Sequence, residues 1–140
     1  MVVQIYLATS WKNAHYERVL ALLRGHGHTV YDFREKGFLF SQIVPAGSSP
    51  ETLPYMEQAA LLDHPVAVSS FKQDKRGIME SNVLVMLYPC GNDAHVELGY
   101  AAGLGLYTIV YLNEGYRVGL MDKLADIFVS SDQQLLEALR

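Results

Sequence analysis

Val83-Leu84-Val85-Met86-Leu87-Tyr88-Pro89-Cys90-Gly91-Asn92-Asp93-Ala94-His95-Val96-Glu97-Leu98-Gly99-Tyr100 reads as strand, turn and helix in immediate succession. Val83 to Tyr88 are strand formers without polar alternation, the pattern of a strand buried on both faces of a sheet. Pro89 ends the run, and Cys90, Gly91 and Asn92 supply a tight turn. Asp93 to Gly103 follows as a helix with Ala, Leu and Gly packing faces. Gly99, Ala101, Ala102, Gly103 and Gly105 let that helix approach a sheet closely, which brings Glu97 near the crevice floor.

Toward the N-terminus, Val2, Val3, Ile5, Tyr6 and Leu7 form a short apolar run. It reads as a central strand, and Met1 to Ala8 lacks the basic start and long apolar core of a signal peptide. A helix fits from Asn13 to Arg24, capped by Asn13 or Ser10 and stopped by Gly25 and Gly27. His28 to Phe33 reads as a second strand, so the first thirty residues make a βαβ unit with parallel strands. From Arg34 to Ser49 periodicity fails, although Phe38, Leu39, Phe40, Ile43 and Val44 are apolar. Loops longer than about 12 to 15 residues are uncommon and often serve as lids or binding loops. The alternative is a loop packed on the core or in an oligomer contact. Helices are expected over Pro50 to Leu62 and from Val68 or Phe71 to Ser81.

Toward the C-terminus, Leu106 to Leu112 reads as a strand and Asn113 to Gly119 as a loop. Leu124 to Val129 reads as a last short strand, and Asp132 to Leu139 as a helix capped by Ser130 or Ser131. Alternating strands and helices imply a parallel sheet with helices on both faces. The expected fold is α/β, a flavodoxin-like or Rossmann-like three-layer sandwich. Its five-stranded parallel sheet has order 2-1-3-4-5, and residues 1–140 form a single domain.

The 140 residues carry 11 Lys+Arg against 15 Asp+Glu, a formal net charge of -4. This balance gives no support for duplex nucleic acid as a partner, because such binding requires phosphate neutralisation. A composition 50% hydrophobic and 19% charged argues against disorder. The lone Cys90 excludes an intramolecular disulfide framework. No stretch approaches 18 uncharged apolar residues, so no membrane span is expected. The chain reads as soluble and cytoplasmic.

Ligands in such sheets bind beyond the carboxyl ends of the strands, where strand order reverses. That rule selects Thr9 to Asn13, Asp32 to Phe40, Tyr88 to Glu97 and Tyr111 to Tyr116. Glu97 is a candidate nucleophile, general base or helix-start charge, and Asp93 is a helix-start residue or a catalytic carboxylate. Gly91 and Asn92 can present backbone N–H groups to an anion. His95 lies two positions from Glu97, off its helix face, and the pair lacks the histidine spacing of a helical zinc site. Asp32 ends the second strand, where an acidic residue often takes a sugar hydroxyl. Ser10 can cradle a ligand, and Trp11 either stacks on a base or seals an oligomer contact. GxGxxG, a P-loop and GxSxG are absent; no cofactor and no metal are expected.

Ile5-Tyr6-Leu7-Ala8, Asp74-Lys75-Arg76-Gly77-Ile78, and Asp93 with Glu97-Leu98-Gly99-Tyr100-Ala101 occur in a telling order. This set resembles the nucleoside 2-deoxyribosyltransferase-like family, which includes deoxynucleoside-monophosphate N-glycosidases. The resemblance spans roughly residues 3 to 129. It implies a small-molecule nucleoside or nucleotide substrate and a homodimer or higher homo-oligomer whose sites a neighbour completes. It implies Glu97 as nucleophile on the anomeric carbon, Asp74 in proton exchange or sugar orientation, and Asp93 on a sugar hydroxyl. Tyr6 would lie near the nucleophile, and Asn113 would be the residue contributed across an interface. Trp11, Phe38 and Phe40 would shield the sugar and stack on the base. The phosphate-specific branch has a glycine-rich first loop and a serine near the nucleophile turn. Thr9-Ser10-Trp11 and the segment from Pro89 to Glu97 lack both. Transfer and hydrolysis therefore stay open, as does a non-catalytic nucleotide-binding or signal-sensing module on the same fold.

Overall fold

The run from Val83 forms a strand flanked by two others, as its uninterrupted apolarity requires. The computed structural model describes residues 2–35, 37–114 and 117–140. Gly115 and Tyr116 of the expected ligand-binding loop lie outside them, as do Met1 and Lys36. Two compact units are present, residues 1–32 with 77–140 and residues 33–76.

The first unit carries a parallel sheet of β1 (Gln4–Ala8), β2 (Thr29–Tyr31), β3 (Val83–Leu87), β4 (Tyr107–Tyr111) and β5 (Ile127–Val129). The five strands run in the order β2-β1-β3-β4-β5, as expected. All four pairings are parallel. With α1 (Tyr16–Gly25), α4 (Asn92–Leu104) and α5 (Asp132–Ala138) this is a three-layer α/β sandwich of Rossmann or flavodoxin type. Successive strand residues point to opposite faces. On one face Tyr6, Ala8, Leu84, Met86, Tyr88 and Val110 pack with Ile78 and with Ala94, Leu98 and Ala101 of α4. Those α4 residues recur at i, i+4 and i+7, one helical stripe. The opposite-facing Ile5, Leu7, Val83, Val85 and Leu87 are equally buried, as are Val19, Leu20 and Leu23 of α1.

Several boundaries differ from expectation. α1 begins at Tyr16, not Asn13, because Asn13 is used elsewhere. Its Nδ2 donates to Thr9 Oγ1 at 2.9 Å and to the Pro89 carbonyl at 3.1 Å, while its Oδ1 accepts from His15 N at 2.7 Å. β2 is shorter than expected. The fifth strand starts at Ile127 because Leu120–Leu124 is wound as a 3-10 turn. α5 is capped as expected, with Ser131 Oγ accepting from Gln134 N at 3.1 Å. Arg18 and Tyr111 both donate to Asp132 at the start of that helix. Burial alone would raise the Asp132 carboxyl, but these hydrogen bonds and the Arg18 charge hold it below its ordinary value.

In the second unit the single helix expected over Pro50 to Leu62 is broken. Pro54 excludes Leu53 from helical backbone, and Leu53 is extended at ψ 146. A 3-10 turn at Pro50–Thr52, the short helix α2 (Tyr55–Ala60) and a 3-10 turn at Leu61–Asp63 replace it. α3 (Pro65–Met79) starts earlier than expected, with proline at its first position, where a missing N–H costs nothing. The segment from Arg34 to Ser49 holds only the 3-10 turn Phe40–Gln42 among its described residues. No helix among the described residues is long and apolar enough to cross a membrane.

Candidate active site

Glu97 lies beside the inward stripe of α4, at i+3 from Ala94, so its carboxylate is half-buried instead of fully enclosed. The Tyr6 hydroxyl donates to its Oε2. Tyr6 is buried in the middle of β1 and pairs in register with Tyr31 of β2. The two rings stack, with centroids 5.2 Å apart and planes 10° from parallel. Parallel pairing therefore sets the ring that presents a hydroxyl to Glu97.

Around the start of α4, the cap position belongs to Gly91, with Asn92 first and Asp93 second in the helix. All three are exposed. No side chain caps this end, and the first N–H groups of a helix have no intrahelical acceptor. His95 is tied inward. Its Nδ1 lies 2.8 Å from the Gly91 carbonyl, and its Nε2 lies 3.3 Å from the Tyr88 hydroxyl and 3.4 Å from Asp122 Oδ1. Asp122 is only 2% exposed and accepts from the Tyr88 hydroxyl and from Gly119 N. Burial and the Asp122 hydrogen bond push the Tyr88 phenol well above its ordinary value. Asn113 Nδ2 donates to the Tyr88 carbonyl at 3.3 Å, within its own chain. The turn after β3 is thus fastened from below by Asn13, from the side by Asn113 and through His95 by Asp122.

Cys90 Sγ lies 4.0 Å from His95 Nδ1. Burial, with the negative charges of Asp122 and Glu97 adding to it, pushes its thiol up to about 12. A thiol held this high is a poor nucleophile. Because the folded chain holds the proton more tightly than the unfolded chain, this contribution to stability is complete below the ordinary value of 9.0. It is lost as pH rises from there toward about 12. Alkylation by iodoacetamide at pH 8 is expected to run about a thousandfold slower in the native protein than in urea-unfolded chain. Comparable rates in the two states would contradict this placement.

Asp32 accepts from the buried Tyr16 hydroxyl at 2.5 Å. Ser10 Oγ accepts from Lys12 N at 3.3 Å, and Trp11 is exposed. Phe38 and Phe40 meet edge to face at 5.1 Å within the second unit, where Asp74 is half-buried on α3. A cavity of about 300 Å³ lies elsewhere, at the amino end of β4 among Ala102, Leu106, Thr108, Leu124 and Asp126.

The chain shares its fold with a 2-deoxyribosyltransferase. That structure, from the psychrotolerant bacterium Bacillus psychrosaccharolyticus, superposes with a TM-score of 0.69 at 19% identity, covering 94% of this chain and 89% of that one. A conserved protein from Enterococcus faecalis V583 gives 0.61 at 15% identity, with 98% and 96% covered. A CMP N-glycosidase from Clostridium botulinum gives 0.55 at 16%, with 97% of each chain covered. At these identities the likeness is one of fold. No protein-family model and no curated protein matches the chain.

Sequence reasoning missed Asp122 and the hydroxyl of Tyr88. Leu120-Met121-Asp122-Lys123 carries no local signal, since an acidic residue beside a lysine reads as solvated surface. Tyr88 falls in the selected stretch Tyr88 to Glu97, but nothing local marks its hydroxyl as a partner of Asp122. The ring nitrogens of His95 face Gly91, Tyr88 and Asp122.

Proposed function

We propose that this chain cleaves or transfers the N-glycosidic bond of a nucleoside or nucleotide through Glu97. The observation carrying the reading is the Tyr6 hydroxyl donating to the half-buried Glu97 carboxylate, on the helix that leaves the central strand. Oriented by that hydrogen bond, the carboxylate attacks C1′. The C1′–N bond breaks as the C1′–O bond forms, and the base departs with the electron pair. Asp74, Asp93 or His95 supplies its proton. Water or a second base then attacks C1′ of the glycosyl ester, and the C1′–O bond to Glu97 breaks through a transition state of oxocarbenium character, which frees the carboxylate. Gly91 and Asn92 offer N–H groups to a phosphate or sugar oxygen. Ser10, Trp11, Asp32, Phe38, Phe40 and Asn113 remain proposed substrate contacts, and a homo-oligomer remains proposed. Support for the oligomer comes from Tyr55 and Met56, 88% and 80% exposed in the second unit; a mass of 15.7 kDa by light scattering would exclude it.

The reading is tested by incubating the protein with deoxynucleosides, ribonucleosides and their monophosphates, and following free base by chromatography. A parallel lane containing a second base separates transfer from hydrolysis. No base release across this panel would overturn the reading in favour of a non-catalytic nucleotide-binding module.

A further inference from the structure

We propose that Gly77 is a positioning residue for Glu97, acting through the rings of Tyr31 and Tyr6. A Cβ built on Gly77 would lie 2.8 Å from Tyr31 Cδ2 and 3.0 Å from both Cε2 and Cγ. These are ring atoms in a stacked pair, not the loose end of a flexible side chain. The helix cannot readily yield. Ile78, the next residue, is 3% exposed within the core, and the Ser81 hydroxyl donates to the Gly77 carbonyl at 2.7 Å. Tyr31 is therefore the group that must move.

Tyr31 in turn sets Tyr6. A tyrosine ring turns broadly about its own long axis, and such spinning leaves the hydroxyl in place because the oxygen lies on that axis. Tilting the ring displaces the oxygen, and pressure on a stacked neighbour tilts it. The stacking at 5.2 Å and 10° transmits the position of Tyr31 to the hydroxyl that donates to Glu97. Glycine at 77 is thus required by the site as well as by packing. The catalytic half of this inference rests on Glu97 being the reacting carboxylate; the geometric half does not.

The test uses Gly77→Ala, Tyr31→Val and the double variant in the full chain. Tyr31→Val removes the ring that the new methyl would strike and keeps a strand-forming residue. Gly77→Ala is expected to lower kcat about tenfold, with KM changed less than twofold. In the Tyr31→Val background the same substitution is expected to cost less than twofold, since coupled residues are non-additive. Independently of turnover, the ¹³Cζ tyrosine resonance of Tyr6, assigned with Tyr6→Phe, should shift in Gly77→Ala. It should not shift further when Gly77→Ala is added to Tyr31→Val. Equal effects in both backgrounds, or an unmoved Tyr6 resonance in Gly77→Ala, would overturn the proposal. If Gly77→Ala does not fold, Tyr31→Val alone decides, because an unchanged Tyr6 resonance there also overturns it. A Tyr6 shift in a protein that releases no base from any substrate would uphold the coupling and remove only the catalytic reading of Glu97.

Discussion

Glu97→Gln is expected to abolish base release, with a fall in kcat of at least about three orders of magnitude. Glutamine has nearly the same shape, and its side-chain oxygen can still accept from Tyr6, so the hydrogen bond seen at Glu97 has a replacement. The amide lacks the charge and nucleophilicity needed to form a glycosyl ester. Stability should change little because Glu97 is half-buried and flanks the packed stripe instead of belonging to it. Single-turnover chromatography on whichever substrate releases base would measure the effect, with urea unfolding as a check on folding. Retention of more than a tenth of the wild-type rate would assign the attack to another group. Glu97→Asp should sit between the two, since it keeps the charge but withdraws it by one methylene.

Asp122→Ala is expected to show the largest loss of stability among polar substitutions in the first unit. The carboxylate is 2% exposed and takes hydrogen bonds from the buried Tyr88 hydroxyl and from Gly119 N. Truncation takes the acceptor from the buried Tyr88 hydroxyl, and an unsatisfied buried group costs about 1–3 kcal/mol; Gly119 is exposed, so water replaces the other bond. His95 adds less, because its side chain is 38% exposed and solvent screens the pair. A total of about 2 kcal/mol is expected, a fall in Tm of roughly 6 °C for a chain of this size. Asp122→Asn, which keeps the shape and one carbonyl acceptor, should cost less. A loss below about 1 kcal/mol for the alanine variant, read from urea unfolding, would mean that this cluster adds little to the fold. The same variant frees His95 and the turn after β3, so any loss of base release beyond the unfolded fraction would report on the turn itself.

The periodicities that make the fold readable are local. Val83 to Leu87 is a continuous apolar run, and Ala94, Leu98 and Ala101 mark one helical face. Right-handed crossovers between parallel strands leave the order few alternatives. The expected strand order is therefore the observed one. Where local pattern failed, the cause is a specific competing contact. Asn13 suits a helix cap, and its Oδ1 accepts from His15 N, yet its Nδ2 is tied to Thr9 and Pro89 and the helix starts only at Tyr16. The apolar spacing from Pro50 to Leu62 suits one helix, yet Pro54 forces the preceding residue out of helical backbone. Leu124 belongs to a strand by composition, yet the turn that carries Asp122 into the core claims it.

The sequence by itself determined the α/β class, the five strands and their order, and the placement of Glu97 one turn into the helix after the central strand. Backbone propensity and apolar spacing act over a few residues and mark the elements, and the crossover rules for parallel strands then order them. Only the tertiary structure decided what surrounds that glutamate. Tyr6 reaches it from 91 positions away, Tyr31 stacks on Tyr6 because β1 and β2 pair in register, and Gly77 leaves room for the ring. Asp122 meets Tyr88 across 34 positions. Hydrogen bonds and ring contacts of this kind act over a few ångströms between residues far apart in the chain, so their partners exist only once the sheet has brought its strands together.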